Sequence, residues 1–108
     1  MKKRHPSISH EKEQIKEFKK NPDRAMEYLN SCVQVAFEEN DPELVLSALA
    51  LVAKAYGITR LAKQTRLQRE SLHRMLSKHG NPEWGSLFHV FRALRIRPRL
   101  EYSRSVTI

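Results

Sequence analysis

The stretch ITRLAKQTRLQRESLHRMLS, residues 58–77, carries two short apolar patterns that do not share one helical phase. Leu61 fits the first pattern, whereas Leu72 fits a second one that begins after Arg66 and Leu67. One continuous amphipathic helix needs a single apolar stripe that repeats every three or four residues. The sequence therefore predicts two short helices that meet at a corner, with the break at Arg66.

Two triplets on the N-terminal side of this corner mark the starts of longer helices. Residues 21–23 (Asn-Pro-Asp) and 41–43 (Asp-Pro-Glu) each place a capping residue before a proline at the first helical position. They predict helices from Asn21 to about Asn40 and from Pro42 to Tyr56, the second of which ends at Gly57. Further helices are predicted at 59–65, with Thr59 as the cap, at 68–77 and at 83–94.

These elements predict an all-α fold that contains a helix-turn-helix at residues 58–77. Only 40% of the residues are hydrophobic and three are glycine, while good helix formers are abundant, which favours helix over sheet. The predicted helical domain covers residues 21–97. Residues 1–20 are interpreted as a frayed basic arm with helical character from Ser9 to Lys20, and residues 98–108 as a tail that is a short strand or disordered.

Apolar residues at helical spacing indicate which faces are buried. In the helix from Asn21 the predicted buried face comprises Met26, Leu29, Val33, Ala36 and Phe37. In the last helix it comprises Trp84, Leu87, Phe88, Phe91 and Leu94. The alternative for Trp84, Phe88 and Phe91 is a platform that stacks the bases of a single strand.

The charge of the chain is divided unevenly along its length. The formal net charge is +8, with a net +4 over residues 1–20, −4 over 21–56 and +8 over 57–108. Residues 57–78 alone hold six Lys or Arg and one Glu. This polarity favours a polyanionic partner for the second half of the chain, since solubility alone does not require it.

The predicted corner presents its polar residues on one side, because Leu61, Leu67 and Leu72 must hold it to the core. A helix fits the major groove of B-DNA, where Arg can pair with guanine and Gln with adenine. The predicted base contacts are Gln68, Arg69, Glu70, Ser71 and Arg74, and the predicted phosphate contacts are Arg60, Lys63, Arg66 and Lys78. The alternative is a solvated helical hairpin with a basic face and no DNA partner.

From about Asn21 to Arg97 the chain resembles the antidote proteins of chromosomal and prophage addiction modules, in the HigA-like branch of the Xre-type helix-turn-helix family. The resemblance is carried by DPELVLSALALVAKAYGITRLAKQTRLQRESLHRMLSKHGNPEWGSLFHVFRALRI, residues 41–96. It implies a bundle of about five helices, a cognate toxin of the RelE and ParE superfamily and repression of the module's own promoter. Two positions depart from the family, which usually has Gly where this chain has Arg66 and Ser where it has Gln68.

The partners expected on this basis are double-stranded operator DNA, the toxin and a second copy of the chain, since two recognition helices one DNA turn apart multiply the discrimination. Toxin contact is assigned to the acidic helix 23–40 or to the arm, because toxins that act on nucleic acid tend to be basic. Two alternatives stay open. One is a stand-alone prophage-type regulator; the other is a toxin-neutralising protein that binds nucleic acid without sequence preference.

Other functional classes have little support in the sequence. Cys32 is the single cysteine, so an intramolecular disulfide is excluded and a buried thiol in a cytoplasmic protein is expected. No apolar run approaches the length of a membrane span, and the basic start is not followed by the apolar segment of a signal peptide. Five histidines, at positions 5, 10, 73, 79 and 89, lack ligand spacing, so neither a metal nor another cofactor is expected. No catalytic constellation is present either, and the chain is predicted not to be an enzyme.

Overall fold

The computed structural model describes residues 8–77 and 79–103, with the backbone alone for Ile8 and Ser9. Within these residues all the regular secondary structure is helical, which confirms the all-α prediction. The helices are α1 (Ile8–Lys20), α2 (Pro22–Glu39), α3 (Pro42–Tyr56), α4 (Ile58–Thr65), α5 (Arg69–Met75) and α6 (Trp84–Ala93). The described part of the tail, residues 98–103, lies in neither a helix nor a strand.

The two proline triplets start helices where the sequence predicts, but not through side-chain caps. Pro22 and Pro42 occupy the first turns of α2 and α3. The preceding residues act through their backbone carbonyls, since Asn21 O accepts from Arg24 N at 3.0 Å and Asp41 O accepts from Leu44 N at 3.2 Å. Fixed proline φ angles therefore set these helix starts more than the Asn21 side chain, which makes no cap hydrogen bond.

The α3 helix is the centre of the bundle and packs against α1, α2 and α4. Its Ala48, Leu49 and Ala53 side chains are fully buried, as the nearly continuous apolar sequence predicts. The α2 helix reaches it through a left-handed turn at Asn40 (φ 54°), where Asp41 N donates to Ala36 O at 2.8 Å. Asn is one of the few residue types that tolerate this conformation, so the turn carries little strain.

The N-terminal segment is a helix, as predicted for Ser9 to Lys20, but it packs against α2 and α3, which corrects the interpretation of these residues as a frayed arm. Phe18 is 5% exposed and its ring centroid lies 5.4 Å from that of Tyr28 on α2. Glu11 Oε2 lies 2.8 Å from Lys54 Nζ, so a partly buried ion pair joins α1 to α3. The segment has few apolar residues, but Ile15 and Phe18 lie on one face, and this was enough to join it to the core. The remainder of the predicted arm, residues 1–7, lies outside the described residues.

Three aromatic residues that the sequence assigns to the core are exposed. Phe37 is 82% exposed at the end of α2, and Trp84 and Phe88 are 66% and 45% exposed on α6. The fully buried position of α6 is Val90, and Leu87 packs partly buried against the same core, so Trp84 and Phe88 lie outside the covered face. In α2, Ala36 takes the last core position, and Phe37 lies about 100° further round the helix.

The Tyr28 hydroxyl is expected to make the stability of the fold depend on pH in the alkaline range. Burial, followed by the nearby Cys32 thiol, raises the pKa of Tyr28 from 10.0 to about 12. Burial also raises the pKa of the Cys32 thiol above its usual value of 9.0, which fits a structural cysteine of low reactivity. A folded-state pKa above the unfolded value contributes stability that is full below the unfolded pKa and is lost as the pH rises through the folded one.

We therefore expect the free energy of unfolding to fall between pH 10 and 12, with the thiol contributing a smaller fall from about pH 9. Urea denaturation at several pH values measures this. Tyr28→Phe should show a smaller fall above pH 10 than wild type, because the titrating group is gone. Tyr102→Phe, which changes an exposed ring, is the matched control and should follow wild type. Parallel curves for wild type and Tyr28→Phe would contradict the assignment.

No single helix among the described residues has the length and apolar content of a membrane span. The pair α3 and α4 together meets that criterion by length and composition, but the two are bent by 97° at the break.

Candidate nucleic-acid interface

The predicted corner is present as two short helices anchored by buried leucines. Leu61 of α4 and Leu72 of α5 are fully buried, and Leu76, just beyond α5, is buried with them. Leu67 in the turn is partly buried against the same core. Leu61, Leu67 and Leu72 are the anchors that the sequence predicts, and of Met75 and Leu76, the two candidates for the remaining anchor, Leu76 is the buried one. The start of α4 differs, because Gly57 (φ 112°) precedes the helix and Thr59, the predicted cap, lies inside it.

Arg66 ends α4 in the left-handed conformation, with φ 63° and ψ 20°. Thr65 supports the turn, since its Oγ1 donates to Leu61 O at 2.8 Å and accepts from Leu67 N at 3.3 Å. A non-glycine residue in this conformation costs about 1 kcal/mol. The break at Arg66 is therefore real, and the chain has a strained arginine where glycine would be relaxed.

Replacing Arg66 with glycine is expected to raise the free energy of unfolding by about 0.5–1 kcal/mol, after allowance for the greater freedom of glycine in the unfolded chain. Chemical denaturation checks this value. Asn40→Gly is the matched control, because Asn40 has the same backbone conformation without comparable strain and should gain less. A loss of stability in Arg66→Gly would mean that the arginine side chain contributes packing that outweighs the strain.

The face of α5 that the sequence assigns to DNA bases is open to solvent. Gln68, Arg69, Glu70 and Arg74 are exposed, and Ser71 is half-buried. Gln68 precedes the first turn in an extended conformation and its side chain makes no cap hydrogen bond. Its amide can therefore face a partner and not its own helix.

A groove between α4 and α5 brings most of the predicted contacts together. It has a volume of about 700 Å³. Its lining residues are Ala62, Lys63, Arg66, Leu67, Gln68, Arg69, Glu70 and His73. We call it the α4–α5 groove. Ser71 and Arg74 lie on the same helix but outside the groove, and Lys78 lies outside the described residues.

The cations of the α4–α5 groove have no ion-pair partner in the described part of the chain. The ion pairs found there are Arg24 with Glu17, Lys54 with Glu11, and His79 with Glu43. None of these involves Lys63, Arg66 or Arg69, which line the groove, or Arg74, which lies outside it. Exposed guanidinium groups that are unpaired within the protein can form charge-assisted hydrogen bonds to an external anion.

Arg60, a predicted phosphate contact, lies outside the α4–α5 groove. Its guanidinium carbon lies 4.1 Å from the centroid of the Tyr56 ring, and the Tyr56 hydroxyl donates to Gln64. Arg60 lines a second pocket, between α4 and α6, that also contains Arg92 and Arg95. Neither arginine is among the contacts predicted from the sequence. Their spacing of three residues at the end of the last helix was the signal available.

A third groove, of about 700 Å³, lies between α2, α3 and the loop that follows α5. Phe37, Pro42, Leu46 and Leu87 contribute apolar surface to it, and Asp41 and Glu43 contribute carboxylates. Glu43 Oε2 also lies 3.4 Å from His79 Nδ1. We call this the α2–α3 groove.

Across residues 8–77 and 79–103, no group of three or more His, Cys, Asp or Glu side chains is placed to hold a metal ion. His73 and His89 are exposed on α5 and α6, and His5 lies outside the described residues.

Comparison of the sequence with known proteins identifies the family of the chain. Residues 10–102 match the family described as probable addiction module antidote protein. An uncharacterized protein of Haemophilus influenzae (strain ATCC 51907 / DSM 11121 / KW20 / Rd) is 35% identical over 77 residues, which cover 71% of this chain and 75% of that protein. No solved structure matches the chain significantly. The match includes α1 to α6 almost entirely, and the chain belongs to the family of probable addiction module antidote proteins.

Proposed function

We propose that the chain is a sequence-specific DNA-binding antitoxin of the HigA-like branch of the Xre-type helix-turn-helix family. It acts in the cytoplasm without enzymatic activity, binds its own promoter as a repressor and neutralises a toxin of the RelE and ParE superfamily. The observation that carries the DNA-binding part is the α5 face. Among residues 8–77 and 79–103, its exposed arginines have no ion-pair partner, and the buried Leu72 anchors the helix to the core on its other side.

In this proposal, α5 enters the major groove with its N-terminal end toward the bases. Arg69 and Arg74 pair with guanine, Gln68 with adenine, and Glu70 accepts from cytosine. Lys63 and Arg66 bind phosphates from the α4 side of the α4–α5 groove. Ser71 is half-buried, so its short side chain is less accessible than those of the other predicted base contacts. It contacts a base only if the DNA lies directly against α5 at that position.

The proposed homodimer uses the exposed aromatic surface of α6. The rings of Trp84 and Phe88 lie edge to face with centroids 5.9 Å apart, and both are open to solvent. Exposed apolar patches of this kind mark protein interfaces. A second copy at this surface places two α5 helices on one DNA molecule, which the specificity of a repressor requires.

The proposed toxin-binding surface is the outer face of α2 together with the α2–α3 groove. Glu27 and Glu38 are exposed on α2, and Phe37 is 82% exposed beside the groove. An exposed aromatic within an acidic surface suits a basic partner, because the ring supplies contact area and the carboxylates supply attraction.

Two sets of substitutions should separate these surfaces. Phe37→Ala is expected to weaken the complex with the product of the neighbouring gene by about 2 kcal/mol, roughly thirtyfold, while the dimer is retained. Trp84→Ala/Phe88→Ala should give a monomer that still binds the toxin. Copurification, titration calorimetry and analytical ultracentrifugation measure both properties, and each variant is the control for the other. Loss of both properties in both variants, with circular dichroism unchanged, would contradict the assignment of the two surfaces.

The experiment that tests the proposed function is a gel-shift and footprint assay on DNA immediately upstream of the gene, with and without the neighbouring product. The proposal predicts a protected site for the chain alone and a further change in mobility when the toxin is added. A protected site with no toxin complex favours a stand-alone regulator. A toxin complex without a protected site favours the neutralising protein with non-specific nucleic-acid binding.

A further inference from the structure

The second pocket, between α4 and α6, is a strongly cationic concavity. It has a volume of about 690 Å³. The residues that line it are Tyr56, Arg60, Gln64, Thr65, Arg66, His89, Arg92, Ala93, Leu94 and Arg95. They include four arginines and no carboxylate. We call it the arginine pocket.

Its arginines are available to a ligand. None of the four has an ion-pair partner among residues 8–77 and 79–103, where the acidic partners of other cations are Glu11, Glu17 and Glu43. Arg60 is also held in place, because its guanidinium stacks on the Tyr56 ring at 4.1 Å. The hydrogen bond from Tyr56 to Gln64 in turn fixes that ring against α4. A guanidinium that is oriented before binding loses less freedom when it contacts an anion.

Backbone strain points to the same pocket. The described residues contain three non-glycine residues at positive φ, and two of them are Arg66 (φ 63°) and Arg95 (φ 62°). Both line the arginine pocket, whereas the third, Asn40, belongs to a residue type that tolerates this conformation. Arg95 lies in the hydrogen-bonded turn that follows α6, where Ile96 N donates to Phe91 O at 2.9 Å. Glycine would serve both turns with less strain, so the retained arginine side chains are expected to have a role of their own.

The four arginines carry more positive charge than is needed to neutralise the negative ends of the helix dipoles beside them. The α4 and α6 helices end at Thr65 and Ala93, and each C-terminus carries about half a negative charge. Together they offset roughly one of the four formal positive charges, which leaves about +3 for an external anion. The pocket also adjoins the α4–α5 groove, since Arg66 lines both.

We propose that the arginine pocket binds the phosphodiester backbone of the DNA whose bases α5 reads. This inference rests on the proposed function and adds a second point of attachment to it. Arg92 of α6 and Arg95, just beyond its end, hold phosphates outside the major groove, together with Arg60 stacked on Tyr56. This attachment is independent of sequence and fixes the angle at which α5 enters the groove.

The test compares Arg92→Gln/Arg95→Gln with Lys16→Gln/Lys19→Gln, which removes the same charge from an exposed part of α1. Fluorescence anisotropy with operator and random duplexes, at several salt concentrations, gives the dissociation constant and its salt dependence. The pocket variant should bind both duplexes roughly tenfold more weakly and lower the slope of log Kd against log salt by about one to two. The α1 variant should retain the wild-type slope. Thermal melting confirms that both variants are folded.

The outcomes separate this inference from the proposed function. If the wild-type protein binds the upstream DNA and random DNA equally well, the proposed function itself is contradicted. Wild-type discrimination together with an unchanged salt slope in the pocket variant overturns only the arginine pocket as a DNA site. A pocket variant that keeps its DNA affinity but loses the toxin complex also overturns it and assigns the pocket to the toxin.

Discussion

Replacement of Gly80 with alanine is expected to lower the free energy of unfolding by about 2–3 kcal/mol. A Cβ atom at this position would lie 2.3 Å from the carbonyl oxygen of Met75 and 2.8 Å from that of Arg74. Both are backbone atoms at the end of α5, so no side-chain rotation relieves the overlap. The chain must move the loop away from α5, which also breaks the hydrogen bond from Gly80 N to Ser77 O, 2.9 Å long. Gly80 therefore holds the end of the proposed recognition helix in place.

Gly85→Ala is the matched control, because a Cβ at Gly85 meets nothing within 4 Å. Gly85 lies in α6, where alanine is the better helix former, so this variant should gain up to about 1 kcal/mol. Urea denaturation measures both values, and thermal melting should show a fall of roughly 10–20 °C for Gly80→Ala. A Gly80→Ala protein within 0.5 kcal/mol of wild type would mean that the loop does not pack against α5 as described.

The second large effect is expected at the recognition face. Arg69→Ala and Arg74→Ala should each weaken operator binding by about 1–3 kcal/mol, roughly fivefold to 150-fold, if each arginine pairs with a guanine. The loss on random DNA should be smaller, because only the attraction to phosphates is removed there. Both side chains are exposed and without ion-pair partners in the described part of the chain, so neither substitution is expected to unfold the protein.

Lys63→Gln is the control for charge alone. It should weaken operator and random DNA by the same factor and lower the salt slope by about 0.9, as expected for one lost phosphate contact. If Arg69→Ala and Arg74→Ala weaken binding to operator and random DNA by the same factor, these arginines contact phosphates. In that case they do not contribute to base recognition by α5.

Much of the fold could be predicted, because local signals determined it. Proline at 22 and 42, together with Gly57, defined α2 and α3 nearly to the residue. The phase change at Arg66 predicted both the break and the buried Leu61 and Leu72. The attachment of α1 could not be predicted in the same way, since it depends on Phe18 meeting Tyr28 and Glu11 meeting Lys54 across helices.

The aromatic residues show where helical spacing stops being informative. Apolar residues at steps of three and four show which side of a helix is buried but not how wide the buried side is. The spacing therefore assigns Phe37 and Phe88 to the core together with their neighbours. Which edge of the stripe is covered depends on the crossing of the helices, and here Ala36 and Val90 take the core positions. The arginine pocket was missed for a related reason. Its members come from α4 and α6, which are distant in sequence, and only their packing brings Arg60 near Arg92 and Arg95.

If the exposed α5 face reads the sequence of double-stranded DNA, the wild-type protein must distinguish its own site from other DNA. This is measured as the ratio of its dissociation constants for random duplex and for the footprinted upstream site, at one fixed salt concentration of about 150 mM. The upstream site is expected to bind at least about 10³-fold more tightly. A ratio below about ten would contradict it and would reduce the basic face to a non-specific surface.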